Sequence, residues 1–392
     1  MDIKAAKRMD VVPFSGIRKI MEKGVQLEKQ GVKVIHLEIG RPDFDTPVNI
    51  KQAAKRCLDE GKVFYTSNYG IPELRKAITE KLATENGVSY DPDTEVIVTV
   101  GLSEAIFDVL TSLLDAGDEI LVPDPVWLNY IHVPRLVGAV PVTYNLLEKN
   151  NYQLDIAEIE RKITSKTKMI AIITPNNPTG GVLNKDVLEK LAAIAIKHNL
   201  IVLSDEIYEK IIYDGNTHYS IASFPGMKQR TVTLNGFSKA YSMTGWRLGY
   251  MAAPAAIIDA SVRMHQYITT CALSFGQYAA IEALKNSDDS VSGMVAEYQR
   301  RRDYVVQAIN GIDRLSCQKP GGAFYVFVNI KQLNRTDEEV AEYLLHDAGV
   351  TLVPGTAFGD NGAGYLRLSY ANSYENLVEA CERIKRSIEK LQ

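Results

Sequence analysis

A chain of 392 residues with 46% hydrophobic side chains is long enough for two domains, or one large and one smaller, around filled cores. Its formal net charge of −4, with acidic and basic residues interspersed and no basic stripe, excludes a nucleic-acid partner. No apolar run approaches the length of a membrane span. Cys57, Cys271, Cys317 and Cys381 stand far apart, in no metal-binding or redox spacing, and predict reduced, non-ligating thiols in keeping with a cytoplasmic protein. The opening MDIKAAKRMD lacks a charged-then-apolar signal, and its Asp2, Asp10 and shortage of serine argue against a transit peptide.

In chain order, residues 1 to about 30 read as an arm plus a short helix carrying Ile17, Ile20, Met21, Val25 and Leu27. A short strand from Val34 to Ile39 follows, broken by Gly40 and a Pro-Asp turn. Gly40 either brings a backbone amide close to a ligand or turns the chain, and spacing favours the turn. After a helix over Asn49 to Glu60, the aromatic loop VFYTSNYG meets a helix opened by Pro72. On pattern alone its Tyr65 and Tyr69 are loop packing.

From Glu95 the pattern becomes α/β. EVIVTVG is a buried strand, and the amphipathic helix SEAIFDVLTSLL starts directly after Gly101. A helix N-terminus behind a glycine offers free N–H groups and a positive dipole end to a phosphate, with Leu102 and Ser103 as donors. The plainer alternative is capping by the Ser103 hydroxyl. The strand EILVPDP leads to Trp127, which is either core or a platform for a ring. AVPVTY and a helix from about Asp155 precede KMIAIITPNNPTG, a buried parallel strand. Its Pro/Asn/Gly turn, with Asn177 before Pro178, stands at the strand's C-terminal end, where open α/β sheets place ligands. Beyond a helix over Lys185 to His198, the strand in LIVLSDEIYEK delivers Asp205 and Glu206 at its mouth. A carboxylate there needs a partner or becomes protonated.

The strand TVTLNG runs into NGFSKAYSMTGWRLG, Asn235 to Gly249, where Lys239 is the only charge between Arg230 and Arg247. Desolvation there favours the free amine, a nucleophile able to form a Schiff base. The alternative is a lysine that snorkels to water. Arg247, again alone in an apolar run reaching Ile258, suits a phosphate dianion and is expected on the strand WRLGYMAAP. A long helical region over Ala255 to Ala308 gives way to the short strands GGAFYVFVNI, VTLVPG and GYLRLSYAN. The terminal helix sets Leu377, Cys381, Ile384, Ile388 and Leu391 on one face, completing a smaller α+β unit. Arg367, between Leu366 and Leu368, is as much a solvated residue as a functional one on pattern alone.

Over its whole length, GFSKAYSMTGWRLG resembles the lysine signature of class I aminotransferases in the fold-type I pyridoxal phosphate family. The resemblance implies an α/β fold: a large domain with a mostly parallel central sheet covered by helices, plus a smaller α+β domain. The expected divisions are an N-terminal arm over 1–45 joining the small domain, a cofactor-binding domain over 46–285 and a small domain over 286–392. It implies a PLP-dependent aminotransferase that moves an amino group from an L-amino acid, acidic or aromatic, to a 2-oxo acid such as 2-oxoglutarate by a ping-pong mechanism. A carbon–sulfur β-lyase on the same scaffold is the alternative. A non-catalytic PLP sensor fused to a DNA-binding module is disfavoured, because the match begins close to the first residue.

Roles carry over residue by residue. Lys239 is implied to hold the cofactor covalently and to serve as base and acid. Asp205, three residues before Tyr208 in a D-x-x-Y pair, keeps the ring nitrogen protonated, with Glu206 as the alternative acid. Tyr208 and the Asn177 of N-P-T-G share the phenolic oxygen, and Trp127 stacks on the ring. Leu102, Ser103 and Arg247 hold the phosphate together with Tyr65 of the neighbouring subunit, which implies a homodimer. Arg367 grips the substrate α-carboxylate beside Asn177 and Gly40 of G-R-P-D-F. One departure stands out: Gly236 occupies a place where many members carry a phosphate-binding serine. For a distal substrate carboxylate Arg263, His265, Arg135 and Arg41 are open candidates, while Tyr130, Phe14 and Ile17 suit an aromatic or aliphatic side chain.

Overall fold

The apolar runs assemble into one seven-stranded sheet in a computed structural model that describes residues 3–391; Asp2 of the leader reading lies outside them. In spatial order the strands are Val96–Thr99, Gly249–Ala252, Thr231–Gly236, Ile201–Asp205, Thr167–Ile173, Glu119–Asp124 and Val140–Asn145. All run parallel except Gly249–Ala252, which is antiparallel to both neighbours. Parallel pairing requires long crossovers, and helices such as Leu102–Leu113 and Lys185–Lys197 supply them. Cover on both faces explains why the strands read as continuous apolar runs, with Ile97, Val98, Ile170, Ile172, Val202 and Leu203 wholly buried. At about 1.5–3 kcal/mol for each such side chain, the sheet is a firm platform for whatever stands at its ends.

A second, four-stranded antiparallel sheet has the order Val353–Pro354, Tyr365–Ser369, Tyr325–Asn329 and Ser316–Cys317. The expected strand over Val34 to Ile39 is reduced to Ile35–His36, which pairs in parallel with Val350–Thr351. The N-terminal arm is thereby tied to the C-terminal part. The helical region expected over Ala255 to Ala308 is three helices, Ala255–Ile268, Ser274–Asn286 and Asp288–Asn310. The first break carries Thr270 in a left-handed conformation (φ +66°), which an α-helix cannot continue through. Leu377, Cys381, Ile384 and Ile388 are buried on helix Tyr374–Lys390, and Leu391 caps it. The four cysteines form no disulfide. Among the described residues no helix is long and apolar enough to cross a membrane.

Candidate active site

Strand Thr231–Gly236 ends three residues before Lys239, and its parallel neighbour Ile201–Asp205 ends on Asp205, so both residues stand at the C-terminal ends of adjacent central strands. They face a cavity of about 560 Å³ that Asn177, Tyr208, Arg247 and Arg367 also line. The Lys239 amine donates to the Gly40 carbonyl at 2.5 Å and lies 5.7 Å and 5.6 Å from the ring centres of Tyr208 and Phe324. Burial, followed by the charge of Arg367, pulls its pKa down to about 8, with Asp205 opposing. The isolation of this lysine in the sequence thus becomes a desolvated amine rather than a snorkelling one.

Asp205 has the opposite perturbation. Burial pushes its carboxyl up to about 6 despite hydrogen bonds from the Tyr130 hydroxyl at 2.7 Å and the Ile207 N–H at 3.1 Å. Arg367, 1% exposed, is not on a solvated face. Its Nη1 donates to the Asn177 side-chain oxygen at 2.9 Å and its Nη2 to the Glu38 carbonyl at 2.6 Å, while Nε is buried without a partner. The guanidinium packs over the rings of Tyr325 and Phe358. Tyr208 is fixed by a 2.8 Å hydrogen bond between its hydroxyl and that of Tyr325.

The anion end of the cavity is built differently from the sequence expectation. Arg247 does not lie on a strand, which begins only at Gly249; it takes a left-handed conformation (φ +54°) after the 3₁₀ turn Thr244–Trp246. That turn lays the guanidinium against Gly101, where an added Cβ would sit 2.6 Å from Nη2. Ser103 does not cap helix Leu102–Leu113. The N-cap is Gly101, no side chain caps the helix, and Glu104 reaches back to the Val100 N–H instead. The N–H end of this helix and the Ser103 hydroxyl therefore remain available beside Arg247.

A ring aldehyde bearing a phosphate fits this donor set: an amine near its titration point, a helix N-terminus with a guanidinium for the dianion, and a buried carboxyl short of a cation.

The model of the family "Aminotransferase class I and II" matches residues 32–384. The chain belongs to this family. It is 44% identical to "Aromatic-amino-acid aminotransferase 2" of Thermococcus litoralis over 98% of each chain, and 46% identical to "Aspartate aminotransferase" of Pyrococcus abyssi over 97% of each. Among solved structures, an aspartate aminotransferase from Thermus thermophilus with maleate superposes with a TM-score of 0.94 at 40% identity, covering 98% of this chain and 100% of that one. The chain is an aminotransferase with the fold-type I architecture.

Within this aminotransferase, Leu102, Ser103, Trp127 and Gly40 join the residues above in lining the one cavity. Tyr65 does not: it is 87% exposed in a loop beside Phe64, away from the chain's own cavity. Tyr130, weighed as a contact for a substrate side chain, is instead wholly buried and holds Asp205; Phe14 is exposed outside the cavity, and Ile17 lines it. Gly236 is explained by packing. It pairs opposite Gly249, and a Cβ there would lie 2.8 Å from the Gly249 Cα and 3.0 Å from Leu102, so serine has no room. Ser238, which the sequence reading passed over, puts a hydroxyl on the cavity wall next to Lys239. Tyr325 was missed too, because nothing local to FYVFV tells which of its rings will meet Tyr208.

Proposed function

We propose that this aminotransferase binds pyridoxal 5'-phosphate in the cavity and transfers the amino group of an acidic or aromatic L-amino acid to 2-oxoglutarate. The observation that carries the reading is the half-buried Lys239 amine, its pKa lowered to about 8, in the cavity that also presents Arg247 beside a helix N-terminus. When bound, the cofactor supplies a ring that takes up the electron pair left behind as the substrate α-proton departs. Lys239 anchors the group covalently, then works as base and acid on that proton. Asp205, positioned by Tyr130, keeps a proton on the ring nitrogen, and Tyr208 and Asn177 donate to the phenolic oxygen. Trp127 packs against the ring. Leu102, Ser103 and Arg247 hold the phosphate. Arg367 binds the substrate α-carboxylate next to Asn177 and Gly40, which turns the α C–H bond toward the lysine.

The names of the relatives support both acidic and aromatic donors, and maleate in the Thermus structure is itself a dicarboxylate. The chain works as a homodimer in this reading, with Tyr65 of the neighbouring subunit completing the phosphate site. Its support is the adjacent pair Phe64 and Tyr65, each more than 80% exposed. The division into 1–45 with 286–392 and 46–285 rests on the pairing of Ile35–His36 with Val350–Thr351. Reduced cysteines accord with a cytoplasmic enzyme.

The test is a panel of amino donors given to the purified holoenzyme with and without 2-oxoglutarate. Glutamate formation that requires the oxo acid is the expected result. Pyruvate release from cystathionine without any oxo acid would assign the lyase instead.

A further inference from the structure

The geometry points to Arg18 and Arg41 as the groups that bind the distal carboxylate of a dicarboxylic substrate, and hence as the determinants of acidic specificity. This inference rests on the aminotransferase reading above. Recognition of a second carboxylate needs a cation facing the substrate, and the structure removes most candidates. Arg263 is a surface residue paired with Asp259 on its own helix. His265 is wholly buried, 3.2 Å from Glu104, outside the cavity. Arg135 lines a different cavity.

Arg41 and Arg18 remain. Both line the active-site cavity, both are exposed, and neither has an acidic partner among the described residues. By contrast Arg75, Arg263, Arg300, Arg301, Arg302 and Arg383 all hold carboxylates. An unpaired guanidinium on a cavity wall has its full donor set free for an anion.

Both arginines share the cavity with the group that takes the α-carboxylate. The Glu38 carbonyl accepts from Arg367, and the Gly40 carbonyl accepts from Lys239. The same backbone segment then reaches Arg41, so one stretch of chain touches Arg367 and Lys239 and carries Arg41 into the cavity lining. Arg18 approaches from helix Gly16–Lys29, next to Ile17 on the same wall. Ile17, Ile39 and Trp127 in the same lining offer apolar contact to a side chain without a second charge. One cavity thus accommodates both donor classes.

The experiment compares 2-oxoglutarate with 2-oxopentanoate, which has the same carbon chain without the distal carboxylate, as acceptors for the holoenzyme. In the wild type kcat/KM favours 2-oxoglutarate, and its KM rises with salt more steeply than that of 2-oxopentanoate, which carries one carboxylate fewer. In Arg18→Met and Arg41→Met the ratio of the two kcat/KM values falls, by about tenfold or more in the double variant, mainly through KM for 2-oxoglutarate. An unchanged ratio in soluble double variant, or a wild type without salt-sensitive preference, overturns the assignment. A wild type that transfers to neither acceptor from any donor overturns the aminotransferase reading itself, which is a separate outcome.

Discussion

Asp205 and Glu206 are neighbours in the chain, yet they serve two regions of opposite character. On the back face Glu206, wholly buried, receives the Ser204 and Ser220 hydroxyls at 2.8 Å each and His218 Nε2 at 3.1 Å. Glu209 beside it takes Asn86 at 2.7 Å, Asn235 at 2.6 Å and an ion pair from Lys81. Burial works against the Glu209 carboxylate, but Lys81 and then His218 outweigh it and hold it down at about 2. On the cavity face the polar groups have capacity to spare. Asp205 lacks a cation in contact, Lys239 rests on a carbonyl and Arg367 keeps an unpartnered Nε. Buried polar groups are normally satisfied, so a set left incomplete marks where a ligand completes it. Incompleteness counts only where it converges on a cavity: Asp108, 3.9 Å from His265 Nδ1, has neither oxygen hydrogen-bonded and a carboxyl pushed by burial up to about 8, but lines none of the described cavities.

The sharpest way to break this contrast is on the cavity face. Lys239→Ala removes anchor, base and acid together and lowers turnover by about 10³-fold or more, read as steady-state transamination. Asp205→Asn lowers it by about 10²-fold. Its second effect has the opposite sign. The folded carboxyl is raised to about 6, so ionisation between roughly pH 4 and pH 6 costs the apoenzyme stability, and the cost persists above that range. Removing the ionisable group therefore raises apoenzyme stability at pH 7.5 by about 1–3 kcal/mol, and the gain vanishes below about pH 4, measured by denaturant unfolding.

The back face responds in reverse. Lys81→Met leaves Glu209 buried without its ion-pair partner and lowers stability by about 3 kcal/mol, while kcat per folded enzyme changes little. The folded Glu209 carboxyl lies at about 2, so the stability it gives the wild type is present above about pH 4.5 and disappears as pH falls toward 2. The smallest effect separates two phosphate contacts. Arg247→Ala weakens cofactor affinity about tenfold or more, and Ser103→Ala only a few-fold, in a titration of apoenzyme. Equal small losses would move the phosphate away from Arg247.

What the sequence disclosed was whatever a short segment decides by itself. The strands ending at Asp205 and Gly236 are continuous apolar runs, and the lone charges Lys239 and Arg247 stand out against them. Residues whose roles depend on distant packing were not visible. Tyr130 meets Asp205 from 75 positions away, Tyr325 meets Tyr208 from 117, and the preference for Gly236 follows from its approach to Gly249 and Leu102. Ser103 read as a cap because serine so often is one; Glu104 took the local N–H instead. Arg18 was passed over because an exposed arginine in an N-terminal helix looks solvated until the fold turns it to the cavity.

The central claim is that a single amine on the cavity wall, that of Lys239, carries the cofactor. Borohydride reduction of the holoenzyme followed by peptide mapping tests it most directly. The label should appear on the peptide containing Lys239 and on no other lysine. A reduced holoenzyme whose Lys239 peptide is unmodified would contradict the account.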